Sequence, residues 1–201
     1  MIAGAILAAG EGRRIGTPKA LLATGAGTET FVQRAVRTLE SAGVTRVAVV
    51  VSPGIAGGVQ RLLPGATVCV NTDPARGQLS SLHVAIDALA SDTMDALIVL
   101  PVDVPLVTAE TVSRLIEVWS RTRPAIVRPT RGTVHGHPVM FDARVLPELR
   151  AADPAIGARP IVRKYATAQG DVPIDDAGPF VDIDSAEDYR RAFGIQLPPG
   201  E

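Results

Sequence analysis

Residues 2–16 read Ile-Ala-Gly-Ala-Ile-Leu-Ala-Ala-Gly-Glu-Gly-Arg-Arg-Ile-Gly. The segment Ile2 to Ala8 is almost continuously apolar, which is typical of a strand buried on both faces of a parallel sheet. A glycine-rich loop follows it, and apolar residues from Phe31 to Leu39 then recur at helical spacing until Gly43 ends the pattern. A strand, a loop and a helix in this order predict a βαβ unit.

The same alternation continues along the chain. Further strands are predicted at Arg46 to Val51, Ala66 to Val70, Ala96 to Leu100, near Ala125 to Val127, at Pro138 to Phe141 and at Phe180 to Ile183. A short helix is predicted to end at Leu62 and Leu63, and a second helix to span Ser81 to Ala90. A third helix is predicted to start after an N-cap at Thr108 and to bury Trp119. Two short helices follow it, and a last helix starts near Ser185. The pattern predicts a three-layer α/β/α fold, Rossmann-like, with a mixed, mostly parallel sheet. Ligands then bind beyond the carboxyl ends of the strands.

Composition excludes several classes of protein. The 201 residues, 46% hydrophobic and 20% charged, predict one domain over residues 1–201. Twenty basic residues against 21 acidic ones give a net charge of -1, which does not favour nucleic acid as a partner. A single cysteine fits a reducing compartment, and no apolar run reaches the roughly 20 residues of a membrane span. We therefore expect a cytoplasmic protein without a membrane partner.

The loop after the first strand carries the strongest chemical signal. Gly10, Gly12 and Gly16 allow backbone amides to surround an anion, while Arg13 and Lys19 add positive charge. The loop matches neither a P-loop nor a dinucleotide fingerprint, because Gly16-Thr17-Pro18-Lys19 has the wrong spacing for the first and Ile15 replaces a glycine of the second. A triphosphate site is predicted, with a solvated glycine-rich turn as the alternative.

Carboxylates follow two later strands. Asp103 comes directly after the fourth strand, between Pro101 and Pro105, where its carboxylate could bind a divalent ion that bridges phosphates. The alternative is that Asp103 caps a helix or turn near Thr108. Near the C-terminus, Asp182 and Asp184 alternate along the predicted strand and so share one of its faces. Asp103 and Asp182 are the predicted metal ligands. Asp184 is the weaker candidate, because it adjoins the start of the last helix.

The run from Leu7 to Leu22, with its ordered Leu7-Ala8-Ala9-Gly10, Gly12, Gly16 and Pro18-Lys19, resembles the signature of nucleotidyltransferases that activate sugars, isoprenoids and molybdopterin. The resemblance implies that Arg13, Lys19 and Asp103 are catalytic, that Leu7 to Gly10 and Gly12 line the nucleotide site, and that Mg²⁺ (or Mn²⁺) is the cofactor. Such a transfer needs no general base, since an acceptor phosphate is already anionic at neutral pH.

Four further segments are similar to molybdenum cofactor cytidylyltransferases: Asn71 to Leu82, Gly136-His137-Pro138-Val139, Gly157-Ala158-Arg159 and Asp182 to Asp188. This similarity implies CTP and molybdopterin as substrates, with a molybdenum enzyme or its maturation chaperone as a protein partner.

Residue roles follow from the same similarity. Asn71, Ser80 and Ser81 would contact the nucleotide, and Gly136 and His137 would contact the acceptor. Two alternatives stay open: the serines cap a helix, or His137 bonds a backbone carbonyl.

The sequence is compatible with more than one pair of substrates. The methyl group of Ala9 narrows the expected base pocket and disfavours a purine. Guanylyl transfer to molybdopterin and transfer to a sugar phosphate remain alternatives. A redox enzyme or a nucleotide-binding protein that reuses the fold is a further one.

Overall fold

The computed structural model of the protein describes residues 1–10, 12, 15–91 and 93–197. The described strands are β1 Ile2–Ala8, β2 Arg46–Val51, β3 Thr67–Val70, β4 Ala96–Pro101, β5 Ile126–Arg131, β6 Val134–His135, β7 Val139–Asp142 and β8 Asp171–Pro173. The described helices are α1 Phe31–Ser41, α2 Ala56–Leu62, α3 Gln78–Leu89, α4 Ala109–Thr122, α5 Leu146–Ala151, α6 Arg159–Tyr165 and α7 Ala186–Phe193. None of these helices is long and apolar enough to cross a lipid bilayer.

The strands form one mixed sheet in the order β3-β2-β1-β4-β7-β5-β6, and β8 pairs with β5. β1 runs parallel to β2 and β4, and β2 runs parallel to β3. β7 lies antiparallel between β4 and β5. The carboxyl ends of β1 and β4 therefore meet at one edge, which is where such a sheet binds ligands.

Hydrophobic cores cover both faces of this sheet. Alternate residues of β1 point to opposite sides, so Ile6 packs in one core while Leu7 packs in the other. α1, α4 and α7 cover the first face, and α3, α5 and α6 cover the second. Trp119 is buried in the first core, as its helical spacing predicts. The predicted three-layer α/β/α fold is confirmed.

Helix termini follow the sequence signals in part. Thr108 accepts a hydrogen bond from the backbone N–H of Thr111 at 3.2 Å, which confirms it as the N-cap of α4. Ser185 caps α7 in the same way. α3, however, begins three residues before the predicted Ser81, so Ser80 and Ser81 lie inside the helix and neither is its N-cap.

The strand predicted at Phe180 to Ile183 is wrong. A 3₁₀-helix spans Gly178–Phe180, and the backbone N–H groups of Phe180 and Val181 donate within it, to Ala177 and Gly178. These groups are therefore unavailable to a sheet ladder. The apolar pattern of residues 180–183 reflects packing in the hydrophobic core instead, since Ile183 is fully buried. The inference that Asp182 and Asp184 share a strand face falls with the strand.

The sequence did not predict the short strands β6 and β8, and the bounds of two other strands differ from the predicted ones. β6 and β8 have only two and three residues, too few for a period-2 pattern. β5 continues to Arg131, well past the predicted end at Val127, and β7 is displaced by one residue to Val139–Asp142.

A close backbone approach fixes the segment that carries Asp182 and Asp184. A methyl group at Gly178 would lie 2.2 Å from the carbonyl oxygen of Leu106, in the loop that follows Asp103. Only glycine allows this approach without a backbone shift. The 3₁₀-helix at Gly178–Phe180 thus holds the C-terminal acids beside the loop after β4.

We expect Gly178→Ala to destabilise the protein by about 1–3 kcal/mol, because the added methyl group overpacks a rigid backbone contact. Thermal unfolding should show a fall in Tm of roughly 2–4 °C per kcal/mol. The matched control is Gly58→Ala in α2, where an added methyl group meets no atom within 4 Å. That variant should gain about 0.5–1 kcal/mol from its better helix propensity. Equal Tm values for the two variants would contradict the packing argument.

Candidate active site

Three chain segments adjoin at the carboxyl edge of the sheet. The backbone N–H of Val102, after β4, donates to the carbonyl of Leu7 in β1 at 3.0 Å. The backbone N–H of Ile183 donates to the carbonyl of Asp103 at 2.8 Å. The first loop, Asp103 and the C-terminal acids therefore lie together, as the position of the loops after β1 and β4 predicts.

The described part of the first loop is shaped by Gly12 and ends in a 3₁₀-helix at Lys19–Leu21. Gly12 has φ +59°, and a methyl group there would lie 2.2 Å from the carbonyl oxygen of Thr17. Glycine is therefore required on both grounds. This tight fold brings Lys19 back toward the end of β1.

Lys19 bridges two carboxylates. Its Nζ donates to Asp103 Oδ2 at 3.1 Å and to Asp184 Oδ1 at 2.5 Å, and the lysine side chain is only 15% exposed. Burial alone would lower the pKa of Lys19, but the hydrogen bonds and charges of Asp184 and Asp103 outweigh it and raise that pKa. Lys19 therefore remains an ammonium ion in this site at any physiological pH.

Asp182 lies close to this pair without a hydrogen bond to Lys19 in the described structure. Desolvation and the neighbouring charge of Asp103 raise the pKa of the Asp182 carboxyl, and Lys19 and His137 only partly oppose this. The C-terminal carboxylate that pairs with Lys19 is that of Asp184, the weaker of the two predicted metal ligands. In the described structure Lys19 thus binds Asp103 and Asp184, and Asp182 lies nearby.

Asn71, Ser80 and Ser81 form a buried hydrogen-bonded cluster. The side-chain amide of Asn71 donates to Ser80 Oγ at 2.8 Å and to Ser81 Oγ at 3.0 Å, and its oxygen accepts from the backbone N–H of Asp73. Ser80 in turn donates to the carbonyl of Gly77 at 2.7 Å. Within this cluster, only the hydroxyl proton of Ser81 has no acceptor among the described residues. Ser81 is therefore the member of the cluster that is equipped to donate to a ligand.

Two cavities open at this edge, and they share Leu7, Gln78 and Pro101 in their walls. The loop cavity, about 200 Å³, is lined by Ala9, Gly10, Lys19, Ser81 and Asp103 among others. The apolar cavity is larger, about 410 Å³, and its additional walls are mainly Leu79, Leu82, Val99, Phe141, Ile156 and Val162. Ala8, by contrast, is buried in the core beneath the loop.

His137 belongs to the wall of the apolar cavity. Its Nδ1 atom is buried without a hydrogen-bond partner among the described residues, so the alternative of a bond from this nitrogen to a backbone carbonyl is not seen. Burial lowers the pKa of His137, although the carboxylates of Asp182 and Asp103 oppose the shift. His137 is thus a neutral imidazole in the cavity wall, and its buried Nδ1 atom has no hydrogen bond among the described residues.

Gly136 has a packing role. It is buried, and a methyl group there would lie 2.3 Å from the carbonyl oxygen of Pro179. The same carbonyl accepts from the backbone N–H of His137 at 2.8 Å. Gly136 therefore lets the C-terminal segment approach His137 closely.

Arg13, predicted to bind phosphate, lies outside the described residues. No three acidic, histidine or cysteine side chains in the described ranges stand close enough to form a complete metal site by themselves. The donor set nevertheless fits Mg²⁺ or Mn²⁺, because Mg²⁺ is usually held by one or two carboxylates and completes its shell with phosphate oxygens and water.

A family model described as the MobA-like NTP transferase domain matches residues 4–169, which include the first loop and Asp103. The chain belongs to this family. Among curated proteins, this MobA-like chain is 35% identical over 117 residues to "Bifunctional protein GlmU" of Xanthobacter autotrophicus. That match covers 55% of this chain and 25% of the relative, so the chain spans about a quarter of the length of the curated relatives it matches.

Solved structures extend the likeness of this MobA-like chain over its full length. Rv0371c from Mycobacterium tuberculosis is 28% identical, with a TM-score of 0.81 over 96% of this chain and 97% of that one. The same protein has been solved in complex with manganese, with 26% identity and a TM-score of 0.76 over 96% and 98% of the two chains. Molybdopterin-guanine dinucleotide biosynthesis protein A from Archaeoglobus fulgidus, 17% identical with a TM-score of 0.69 over 97% and 98%, shares the fold.

Sequence reasoning about this MobA-like site missed two features. The pairing of Asp184 with Lys19 joins residues 165 positions apart, and no local pattern encodes it. The apolar cavity draws its walls from α3, β4, β7 and α6, whose side chains look like ordinary core residues in sequence. The sequence signal that could have indicated this cavity is the similarity of Gly157-Ala158-Arg159 to the cytidylyltransferase family, since all three residues line the cavity.

We expect Asp182→Asn to stabilise the substrate-free protein at pH 7, by no more than about 1 kcal/mol because the carboxylate is exposed and screened. A raised pKa means that the folded state favours the protonated acid, so stability falls as the pH rises from the ordinary aspartate value through the raised one. Urea unfolding between pH 4 and pH 7 should therefore show a gain that grows with pH.

Asp175→Asn is the control, because it also removes one exposed carboxylate, but one that is not among the charges acting on Asp182. A gain for Asp182→Asn that is the same at pH 4 and pH 7 would contradict the assigned cause.

Proposed function

We propose that this protein transfers a cytidylyl group from CTP to the phosphate of molybdopterin and releases pyrophosphate. The observation that carries the proposal is the position of Lys19, which lies in the loop cavity beside Gly10 and within hydrogen-bonding distance of two carboxylates. An ammonium and a set of carboxylates at one point match the two demands of a metal-bound triphosphate. They supply positive charge for phosphate and oxygen ligands for the metal.

The loop cavity supplies the contacts for CTP. Lys19, together with Arg13 from the same loop, would hold the β- and γ-phosphates. The hydroxyl of Ser81 would donate to the nucleotide, oriented by the amide of Asn71. Ala9, buried in the wall of this cavity, presents a methyl group where a purine would need more room than a pyrimidine.

The carboxylates would hold the metal. Asp103 and Asp182 remain the proposed ligands, and Asp184 lies close enough to Asp103 to share Lys19 with it. A bound Mg²⁺ or Mn²⁺ would neutralise charge on the phosphates. The reported manganese complex of Rv0371c supports the choice of a divalent ion.

The reaction needs positioning more than proton transfer. An oxygen of the acceptor phosphate forms a bond to the α-phosphorus of CTP, while the bond from that phosphorus to the oxygen leading to the β-phosphorus breaks. The electron pair leaves with pyrophosphate, whose charge Lys19 and Arg13 would stabilise. No general base is required, because the acceptor phosphate is already ionised.

The apolar cavity supports molybdopterin over a sugar phosphate as the acceptor. A sugar presents several hydroxyl groups, each of which needs a hydrogen-bond partner when buried. Apart from backbone groups, the polar groups in the described wall are those of Gln78, His137 and Arg159. A flat ring system whose polar groups lie along its edge, where Gln78, His137 and Arg159 can meet them, fits this lining better.

The deciding experiment measures pyrophosphate release with each of the four nucleoside triphosphates, Mg²⁺, and either molybdopterin or a hexose 1-phosphate. We expect turnover with CTP and molybdopterin, and slower turnover with GTP. Ala9→Gly should raise the use of GTP relative to CTP, by roughly 10- to 200-fold at most, which is the discrimination that one methyl group provides.

Preference of the wild-type protein for GTP would move it to guanylyl transfer. Turnover with the hexose 1-phosphate alone would replace molybdopterin as the acceptor. No pyrophosphate with any pair of substrates would refute the transferase proposal.

We expect Asp103→Asn to lower the rate of pyrophosphate release roughly 30- to 1,000-fold. This corresponds to a loss of about 2–4 kcal/mol of transition-state stabilisation. The substitution keeps the shape of the side chain and removes the charge that the metal requires. Asp87→Asn is the matched control, since Asp87 is a surface residue of α3 that pairs with Arg150. The control should retain full activity. A folded Asp103→Asn protein with wild-type rates would exclude Asp103 as an essential ligand.

A further inference from the structure

Lys19 and the proposed metal use the same carboxylate. Asp103 Oδ2 accepts from Lys19 Nζ at 3.1 Å, and Asp184 Oδ1 accepts from the same nitrogen at 2.5 Å. The three side chains are partly buried, with exposures of 15% for Lys19, 33% for Asp103 and 41% for Asp184. The contact is therefore a partly desolvated ion pair, which solvent screens less than a surface pair.

A further carboxylate lies beside the ion pair. Asp103 and Asp184 bind Lys19, and the charge of Asp103 also acts on Asp182. His137 is held neutral by burial and adds no positive charge. Among the described residues, Lys19 therefore occupies the carboxylate of Asp103 that the proposed metal needs.

We propose that Lys19 is an internal counter-cation that must leave Asp103 before a divalent ion can bind there, so that metal and triphosphate bind cooperatively through Lys19. The inference rests on the proposed function, because it takes Asp103 as a metal ligand. A divalent ion and an ammonium on the two oxygens, or the same oxygen, of one carboxylate group lie close enough to repel each other. Metal binding to the nucleotide-free protein therefore has to displace an existing ion pair.

The displaced ammonium has a destination in the same cavity. Lys19, Gly10 and Asp103 line the loop cavity together, so the ammonium can exchange carboxylates for phosphate oxygens by side-chain rotation. A triphosphate thus removes the competitor of the metal and supplies further metal ligands. By thermodynamic linkage the metal then increases triphosphate affinity by the same factor. Lys19 couples the two ligands in addition to binding one of them.

The test measures Mn²⁺ affinity in the absence of nucleotide, by the electron paramagnetic resonance signal of free Mn²⁺. We expect Lys19→Met to bind Mn²⁺ more tightly than the wild-type protein, by about 5- to 150-fold, the usual range for coupling between two sites. Methionine keeps the length of the side chain and removes the charge. Lys19→Gln is a second neutral variant, in case the methionine protein is poorly folded by circular dichroism.

The sequence provides a matched control, because Lys164 is the only other lysine in the chain. Lys164 pairs with Glu148 on the surface, away from the loop cavity. Lys164→Met should bind Mn²⁺ as the wild-type protein does. Equal or weaker binding by both neutral Lys19 variants would overturn the inference.

Nuclear magnetic resonance of ¹⁵N-labelled lysine side chains gives an independent readout, since two ammonium groups yield at most two signals. Mg²⁺ should shift the Lys19 signal, assigned by its loss in Lys19→Met, and leave the Lys164 signal in place. An unchanged Lys19 signal at saturating Mg²⁺ would also overturn the inference.

Asp103→Asn separates failure of the inference from failure of the proposed function. If Asp103→Asn loses Mn²⁺ binding while the Lys19 variants match the wild-type protein, the metal site stands and the coupling is wrong. If Mn²⁺ binds neither the wild-type protein nor the Lys19 variants, or binds Asp103→Asn equally well, the proposed metal site fails and the inference fails with it.

Discussion

The ion pairs of Lys19 are the interaction on which the rest of the candidate site depends. They join the first loop to the end of β4 and to the segment before α7, across separations of 84 and 165 residues. Without this ammonium, the carboxylates of Asp103 and Asp184 would lose the positive charge that they share in a partly buried space. The sheet brings the three segments to one edge, and Lys19 allows their charges to stay there.

The backbone around this ion pair is fixed by contacts that leave no space for a side chain. Gly178 meets the carbonyl of Leu106, Gly136 meets that of Pro179, and Gly12 meets that of Thr17. Each contact holds a segment that carries a site residue. Rigid support of this kind suits a reaction that depends on positioning, because small displacements of charged groups reduce transition-state stabilisation sharply.

The sequence predicted those parts of the fold that are encoded locally. β1, β2 and β4 are apolar on both faces, and Thr108 and Ser185 carry capping side chains, so these elements were identified directly. The strand prediction at Phe180 to Ile183 was wrong because residues buried in a core and residues buried in a sheet give the same apolar pattern. Only the use of backbone N–H groups in a 3₁₀-helix distinguishes the two.

For the candidate site, the meeting of Lys19 with Asp103 follows from the rule that loops after parallel strands share one edge. The partner of Lys19 among the C-terminal acids does not follow from it. That choice depends on the path of residues 181–184, which a long-range bond from Ile183 to Asp103 sets.

The shared wall of the two cavities has an evolutionary consequence. Leu7, Gln78 and Pro101 separate a polar chamber, formed by the loops after β1 and β4, from an apolar one bounded by α3, β7 and α6. Substitutions on α6 or β7 can reshape the second chamber without touching Lys19 or Asp103. If the second chamber holds the acceptor, as proposed, substitutions in its far wall can change acceptor specificity while the charged groups on the other side stay the same.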